Sequence, residues 1–133
     1  MGVYMSNRDL DPKANKAAHT APPPFAAGHL PADYPITWRN DSGLYDGQDQ
    51  NRNLTGGFYD GGGSIKYTFP MAYSITMLSW SVIEYQQAFI DTNTIDQAIS
   101  LIQWGVDYLL KAKYQNIIFA QVRRGGERRV RVD

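Results

Sequence analysis

The sequence predicts an all-α fold, one antiparallel helical hairpin preceded by a long glycine-rich loop and flanked by disordered ends. Three patterns carry this expectation. Apolar residues recur at Met71, Ile75, Leu78, Val82, Tyr85 and Phe89, a three-and-four spacing that keeps one face of a helix apolar. A second stripe runs through Ile95, Ile99, Ile102, Val106 and Leu109. Ahead of both, residues 28–60 are dense in Gly, Asn, Asp and Pro, the residues of turns and irregular backbone.

The first helix is expected to begin at Pro70, because proline at a first helical position loses an N–H that has no intrahelical partner there. Tyr73, Met77, Trp80 and Ile83 add apolar mass on another face, so this helix is expected to be covered on two sides. Thr94-Ile95-Asp96-Gln97 fits a capping box and marks the second helix start. That helix is expected to end near Lys113, with Lys111 and Lys113 at the negative end of its dipole. The connection at residues 90–93 is short enough to force the two helices antiparallel.

Three stretches differ in composition. Residues 1–27 are polar and Ala/Pro-rich and end in Ala21-Pro22-Pro23-Pro24, expected as a disordered leader. Residues 28–122 hold the loop and the helices. Residues 123–133 carry Arg123, Arg124, Arg128, Arg129 and Arg131 around two glycines and are expected as a basic disordered tail.

Overall charge is balanced, with 13 Lys and Arg against 13 Asp and Glu. Bulk electrostatics therefore points to no nucleic-acid partner and no anionic membrane. The chain has no cysteine, which removes disulfides and thiolate metal sites. Residues 1–20 contain no apolar run of secretory type, so no signal peptide is expected, and no stretch of 18 apolar residues is available to span a bilayer.

The loop holds the candidate chemistry. Gly56-Gly57-Phe58-Tyr59-Asp60 places one carboxylate in glycine-rich backbone, followed by Gly61-Gly62-Gly63-Ser64-Ile65-Lys66-Tyr67. Taken by itself, Asp60 is a turn residue ahead of glycine. Among the aromatics, Trp80 and Trp104 lie within helical patterns and are assigned to the core, whereas Tyr59 and Tyr67 flank the loop and are candidates for lining a cleft and stacking on sugar rings. His19 and His29 lack metal-ligand spacing. Asp41, Asp46 and Asp49 lack the glycine and closing glutamate of a calcium loop, so neither a metal nor a cofactor is predicted. Asn40-Asp41-Ser42 and Asn53-Leu54-Thr55 have the N-glycosylation acceptor pattern.

Several motifs in order give the chain a resemblance. Leu30-Pro31, Trp38-Arg39-Asn40-Asp41-Ser42-Gly43-Leu44, Leu54-Thr55-Gly56-Gly57-Phe58-Tyr59-Asp60, Lys66-Tyr67, Phe69-Pro70-Met71-Ala72-Tyr73, Trp80, Trp104-Gly105-Val106-Asp107-Tyr108 and Ala120-Gln121-Val122 resemble the catalytic domain of glycoside hydrolase family 9. That family comprises inverting endo-β-1,4-glucanases, or cellulases. The resemblance implies a fragment of a six-hairpin (α/α) barrel, with β-1,4-glucan (cellulose) as partner and a secreted or extracellular setting typical of the family.

The family hallmark pairs two aspartates, Asp-Ala-Gly-Asp, that hold and activate the hydrolytic water. Asp60 matches the first, the water-holding one. Gly63 stands where the second, the base, is expected. The family's acid is a glutamate near the end of a far longer domain, and nothing here matches it. The resemblance therefore implies a truncated and inactive endoglucanase, with a non-catalytic glucan-binding or interaction module, or a gene-model fragment, as the alternative.

Overall fold

The computed structural model describes residues 25–32, 34, 36, 38–61, 63–123 and, for the backbone, 126–131. Of the expected disordered leader, residues 1–27, residues 1–24 lie outside the described residues and residues 25–27 lie within them. Those three do not behave as a leader. Ala26 and Ala27 are fully buried, Ala26 forms an antiparallel bridge with Phe58, and the Ala27 N–H donates to the Gly57 carbonyl at 2.9 Å.

In chain order the elements are β1 (Ile65–Tyr67), α1 (Thr68–Glu84), α2 (Gln86–Asp91), α3 (Ile95–Ala112), β2 (Lys113–Tyr114), β3 (Ile117–Arg123) and β4 (Gly126–Arg131). The all-α expectation is corrected: four antiparallel strands form a sheet in which β1, β2 and β4 all pair with β3. The reason lies in the residues after α3. Ile117, Ile118, Phe119 and Val122 are β-branched or aromatic and suit a half-buried pleated surface, and a two-residue turn with Gln115 at φ 51° folds β3 back on β2. A register shift between Phe119 and Gln121 inserts one extra residue opposite β4. With that bulge, Phe119 and Val122 are both buried although three positions apart, where a regular strand would turn them to opposite faces.

Within the basic tail, residues 124, 125, 132 and 133 lie outside the described residues, and the expectation of disorder is corrected for 126–131. Gly126–Arg131 pairs with β3 from Arg123↔Gly126 to Ile117↔Arg131, so backbone hydrogen bonding orders a segment whose composition alone suggests none.

The first helix starts two residues earlier than expected, which leaves Pro70 in the opening turn, where its missing N–H still costs no bond. It stops at Glu84 rather than continuing to Phe89, because Tyr85 leaves helical geometry at φ −117°, ψ 34°. The short α2 then intervenes before the turn at Thr92–Thr94, where Asn93 takes φ 55°. The capping box is not formed. Thr94 is the N-cap of α3, but its hydroxyl pairs with Thr92 Oγ1 at 2.9 Å instead of reaching the helix amides.

The core gathers Leu54, Met71, Ile75, Tyr108, Ala112, Phe119 and Val122, with Phe58, Leu101, Ile102 and Leu109 packed against it. The packed face of α3 is rotated from the expected stripe. Ala98, Gly105, Tyr108 and Ala112 are buried, whereas Ile99 and Val106 lie outside. Three of those four buried residues are small, and Gly105 shows why: a Cβ there would sit 2.5 Å from Ile75 Cδ1. The helices meet where side chains are absent, and periodicity of bulky residues does not register that face.

Only one face of α1 is covered. Met71 and Ile75 are buried, whereas Phe69, Tyr73, Trp80 and Ile83 are exposed. Trp80, assigned to the core from its helical position, is thus corrected to a surface residue.

Candidate functional site

Leu54–Asp60 is backbone without regular structure, and its side-chain anchors come from β1 and α3. Lys66, in the middle of β1, is completely buried. Its ammonium lies 2.7 Å from Asp46 Oδ2, whose side chain is itself nearly buried, and it donates to the Leu54 carbonyl and, at 3.1 Å, to the Gly56 carbonyl. It also sits 4.7 Å from the centroid of the Tyr108 ring. A cation withdrawn from water needs this density of partners.

Two further side chains from α3 reach the same loop. Lys111 Nζ donates to the Thr55 carbonyl at 3.0 Å, and Trp104 Nε1 donates to the Gly57 carbonyl at 3.1 Å. Trp104 is therefore part of the packed body, as its helical position suggests, and it holds the loop as well. Gly57 has φ 73°, and a Cβ there would lie 2.6 Å from Tyr108 Cγ, so both backbone conformation and close approach require glycine.

Beyond Gly57 the loop turns outward. The Tyr59 N–H donates to the Phe25 carbonyl at 2.8 Å, and the Asp60 N–H to the Ile65 carbonyl at 2.9 Å, closing the glycine-rich tip against β1. Asp60 and Gly63 are both exposed. The Asp60 carboxylate makes no hydrogen bond among the described residues. Gly63, unlike Gly57, is free of both constraints. It is absent from the positive-φ glycines, and a Cβ there would meet nothing nearer than the Asp60 carbonyl oxygen at 3.8 Å.

The three residues singled out from sequence converge on one hollow. A cavity of about 240 Å³ is lined by Phe58, Tyr59, Asp60 and Tyr67, and on the α1 side by Pro70, Met71, Ser74, Ile75 and Leu78, with Leu101 behind. Its wall is mainly apolar and aromatic, with Asp60 the only carboxylate on it among the described residues. A larger hollow of about 570 Å³ lies on the other side of Tyr59, lined by residues 41–46, Gln48, Asp49, Ser64 and Arg123. Tyr59 borders both, and the Arg39 guanidinium lies over its ring at 5.4 Å.

The aspartates of the second hollow are engaged separately. Asp41 accepts the Leu30 N–H at 2.8 Å and faces His29 Nδ1 at 2.7 Å; the backbone bond first, then the imidazole, hold its carboxyl below the usual carboxylate range. Asp46 is committed to Lys66. Among the described residues no group of three or more His, Cys, Asp or Glu is disposed to hold a metal ion, and no helix is long and apolar enough to cross a membrane.

Comparison with known proteins addresses the whole of this architecture. The model of glycosyl hydrolase family 9 matches residues 26–129. The chain belongs to that family. The family 9 match opens at the first buried residue, Ala26, and runs into β4, so most of the arginine-rich segment lies within it.

Endoglucanase 13 of Oryza sativa is 43% identical over 100 residues, which are 74% of this chain and 16% of the relative. Endoglucanase A of Bacillus pumilus is 44% identical over 100 residues, 74% of this chain and 15% of the relative. Among solved family 9 structures, the endoglucanase of the termite Nasutitermes takasagoensis superposes with a TM-score of 0.69 at 35% identity, covering 82% of this chain and 25% of that one. Endoglucanase CelQ of Clostridium thermocellum, solved with cellotetraose, gives a TM-score of 0.65 at 28% identity, covering 81% of this chain and 17% of that one. The chain thus spans about a sixth of the length of the curated relatives it matches.

Lys66, Asp46, Trp104 and Lys111 were not identified from sequence as members of the site. One signal was present for Lys66. It stands between Ile65 and Tyr67 in a short extended run, so alternation turns it opposite to its apolar neighbours, a placement that means burial only once Tyr108, Asp46 and the Leu54–Gly56 backbone are seen to surround it.

Proposed function

We propose that these 133 residues form the water-holding corner of a family 9 β-1,4-glucan cleft, and that they bind glucan without hydrolysing it. In this reading Asp60 positions the water, Tyr59 and Tyr67 offer ring faces to pyranose units, and Gly63 leaves the position of the general base without a carboxylate. One observation carries the reading: among the described residues, the hollow containing Asp60, Tyr59 and Tyr67 has a single carboxylate on its wall. Inversion needs two, one to activate water and one to protonate the leaving oxygen, about 6.5–9.5 Å apart. Apolar and aromatic surface beside one polar group suits sugar binding better than bond cleavage.

The test is titration of the chain with cellotetraose alongside an assay for reducing ends on soluble cellulose. We expect saturable binding that Tyr59→Ala or Tyr67→Ala weakens about five-fold, equivalent to about 1 kcal/mol, and no reducing ends above background. Hydrolysis that disappears in Asp60→Asn would overturn the non-catalytic reading. Absence of binding to any β-1,4-glucan would overturn the cleft itself.

A second reading, a protein-interaction module, draws on the uncovered stripe Phe69, Tyr73, Trp80 and Ile83. Concentration-dependent self-association that Trp80→Ser and Ile83→Ser abolish, with no glucan affinity, would favour it.

A further inference from the structure

Two acceptor tripeptides, Asn40-Asp41-Ser42 and Asn53-Leu54-Thr55, line no part of the hollow that holds Asp60. Both asparagines are exposed, so the fold leaves space for a sugar at either. Their chemistry differs. At Asn53 the side-chain Oδ1 accepts the Thr55 N–H at 3.0 Å and the Thr55 hydroxyl at 2.6 Å. Asn53 Nδ2 makes no hydrogen bond among the described residues, so replacing one of its protons by a sugar disrupts no contact. Leu54, the middle residue, is fully buried and fixes the side of the loop on which Asn53 lies. Asn53 borders neither hollow.

At Asn40 the middle residue is Asp41, whose ionised carboxylate repels an anionic diphosphate donor. The third residue is a serine whose hydroxyl is approached by Arg39 Nη2 at 3.5 Å, and Asp41 and Ser42 both line the larger hollow. A glycan there would stand at the rim of that hollow.

We infer that Asn53 is an N-glycan acceptor and that Asn40 is not. In the transfer, the bond between the anomeric carbon and the diphosphate of a polyprenyl-diphosphate-linked oligosaccharide breaks, and a carbon–nitrogen bond forms to Asn53 Nδ2. One amide proton is released and the polyprenyl diphosphate leaves. The acceptor must present an accessible backbone to the transferase, and in the folded chain Lys66 and Lys111 hold the Leu54 and Thr55 carbonyls. Transfer therefore precedes folding, and the exposed Nδ2 is what lets the fold close around a modified chain.

The test places the 133-residue chain behind a cleavable secretion signal in a eukaryotic secretory host. Intact protein is treated with peptide N-glycosidase in heavy-oxygen water and then mapped by peptide mass, a readout that does not depend on folding. We expect the label at position 53 and the glycan lost in both Asn53→Gln and Thr55→Ala. It should be retained in Thr55→Ser and unchanged in Asn40→Gln. An unmodified Asn53 in the wild-type chain, or a glycan that survives Asn53→Gln, overturns the assignment.

Discussion

Leu54–Gly57 and Asp60–Ser64 belong to one glycine-rich loop, yet they are held in opposite ways. The carbonyls of Leu54, Thr55, Gly56 and Gly57 each receive a side-chain donor, from Lys66, Lys111, Lys66 again and Trp104. The tip has the Asp60 N–H to Ile65 carbonyl bond, and Asp60, Gly61, Gly63 and Ser64 face water. Successive carbonyls in irregular buried backbone need donors that no ladder provides, and long cationic or indole side chains from the neighbouring strand and helix supply them. The tip has water for that purpose. The first half of the loop is consequently part of the core, and the second is a mounting for Asp60.

This contrast is best broken at Lys66. Lys66→Met removes the donor to two carbonyls and leaves the nearly buried Asp46 carboxylate without its cation, a change expected to cost about 3–5 kcal/mol. Equilibrium denaturation in urea measures it. A loss below about 1 kcal/mol would mean that Asp46 reaches water when its partner is gone.

Two glycines sharpen the same contrast. Gly57→Ala must place a methyl group 2.6 Å from Tyr108 Cγ at a left-handed φ, with an expected cost of about 1–3 kcal/mol in urea denaturation. Gly63→Ala makes only ordinary contacts, the nearest at 3.8 Å to the Asp60 carbonyl oxygen, at a φ outside the left-handed region. Its effect is expected within about 0.5 kcal/mol of wild type, or stabilising by up to about 1 kcal/mol through reduced freedom of the unfolded chain. Thermal melts of the two variants side by side give the difference directly. Equal effects would erase the distinction between the halves.

The sequence allowed the two main helices and the turn-rich character of the loop to be read, because both depend on local chemistry: apolar spacing in one case, glycine and asparagine density in the other. Asp60, Tyr59 and Tyr67 were the candidates named from sequence, and the structure places all three on one hollow. The sheet was not readable, because β1 is three residues long and β2 two, too short for alternation to emerge, and their pairing with β3 is set over separations of more than fifty residues for β1. β4 was hidden for a different reason. Apart from Val130, its residues Gly126, Glu127, Arg128, Arg129 and Arg131 carry little strand propensity, and the pairing with β3 orders them. The packed face of α3 was misjudged because Ala98, Gly105 and Ala112 contribute by being small.

The three tryptophans provide a built-in optical assay. Trp38 is 73% exposed and Trp80 61%, whereas Trp104 is partly buried with its indole N–H on the Gly57 carbonyl. Acrylamide should quench the first two readily and leave an emission dominated by Trp104. That residual signal reads the anchoring of the loop without a label, and Trp38→Phe together with Trp80→Phe would isolate it.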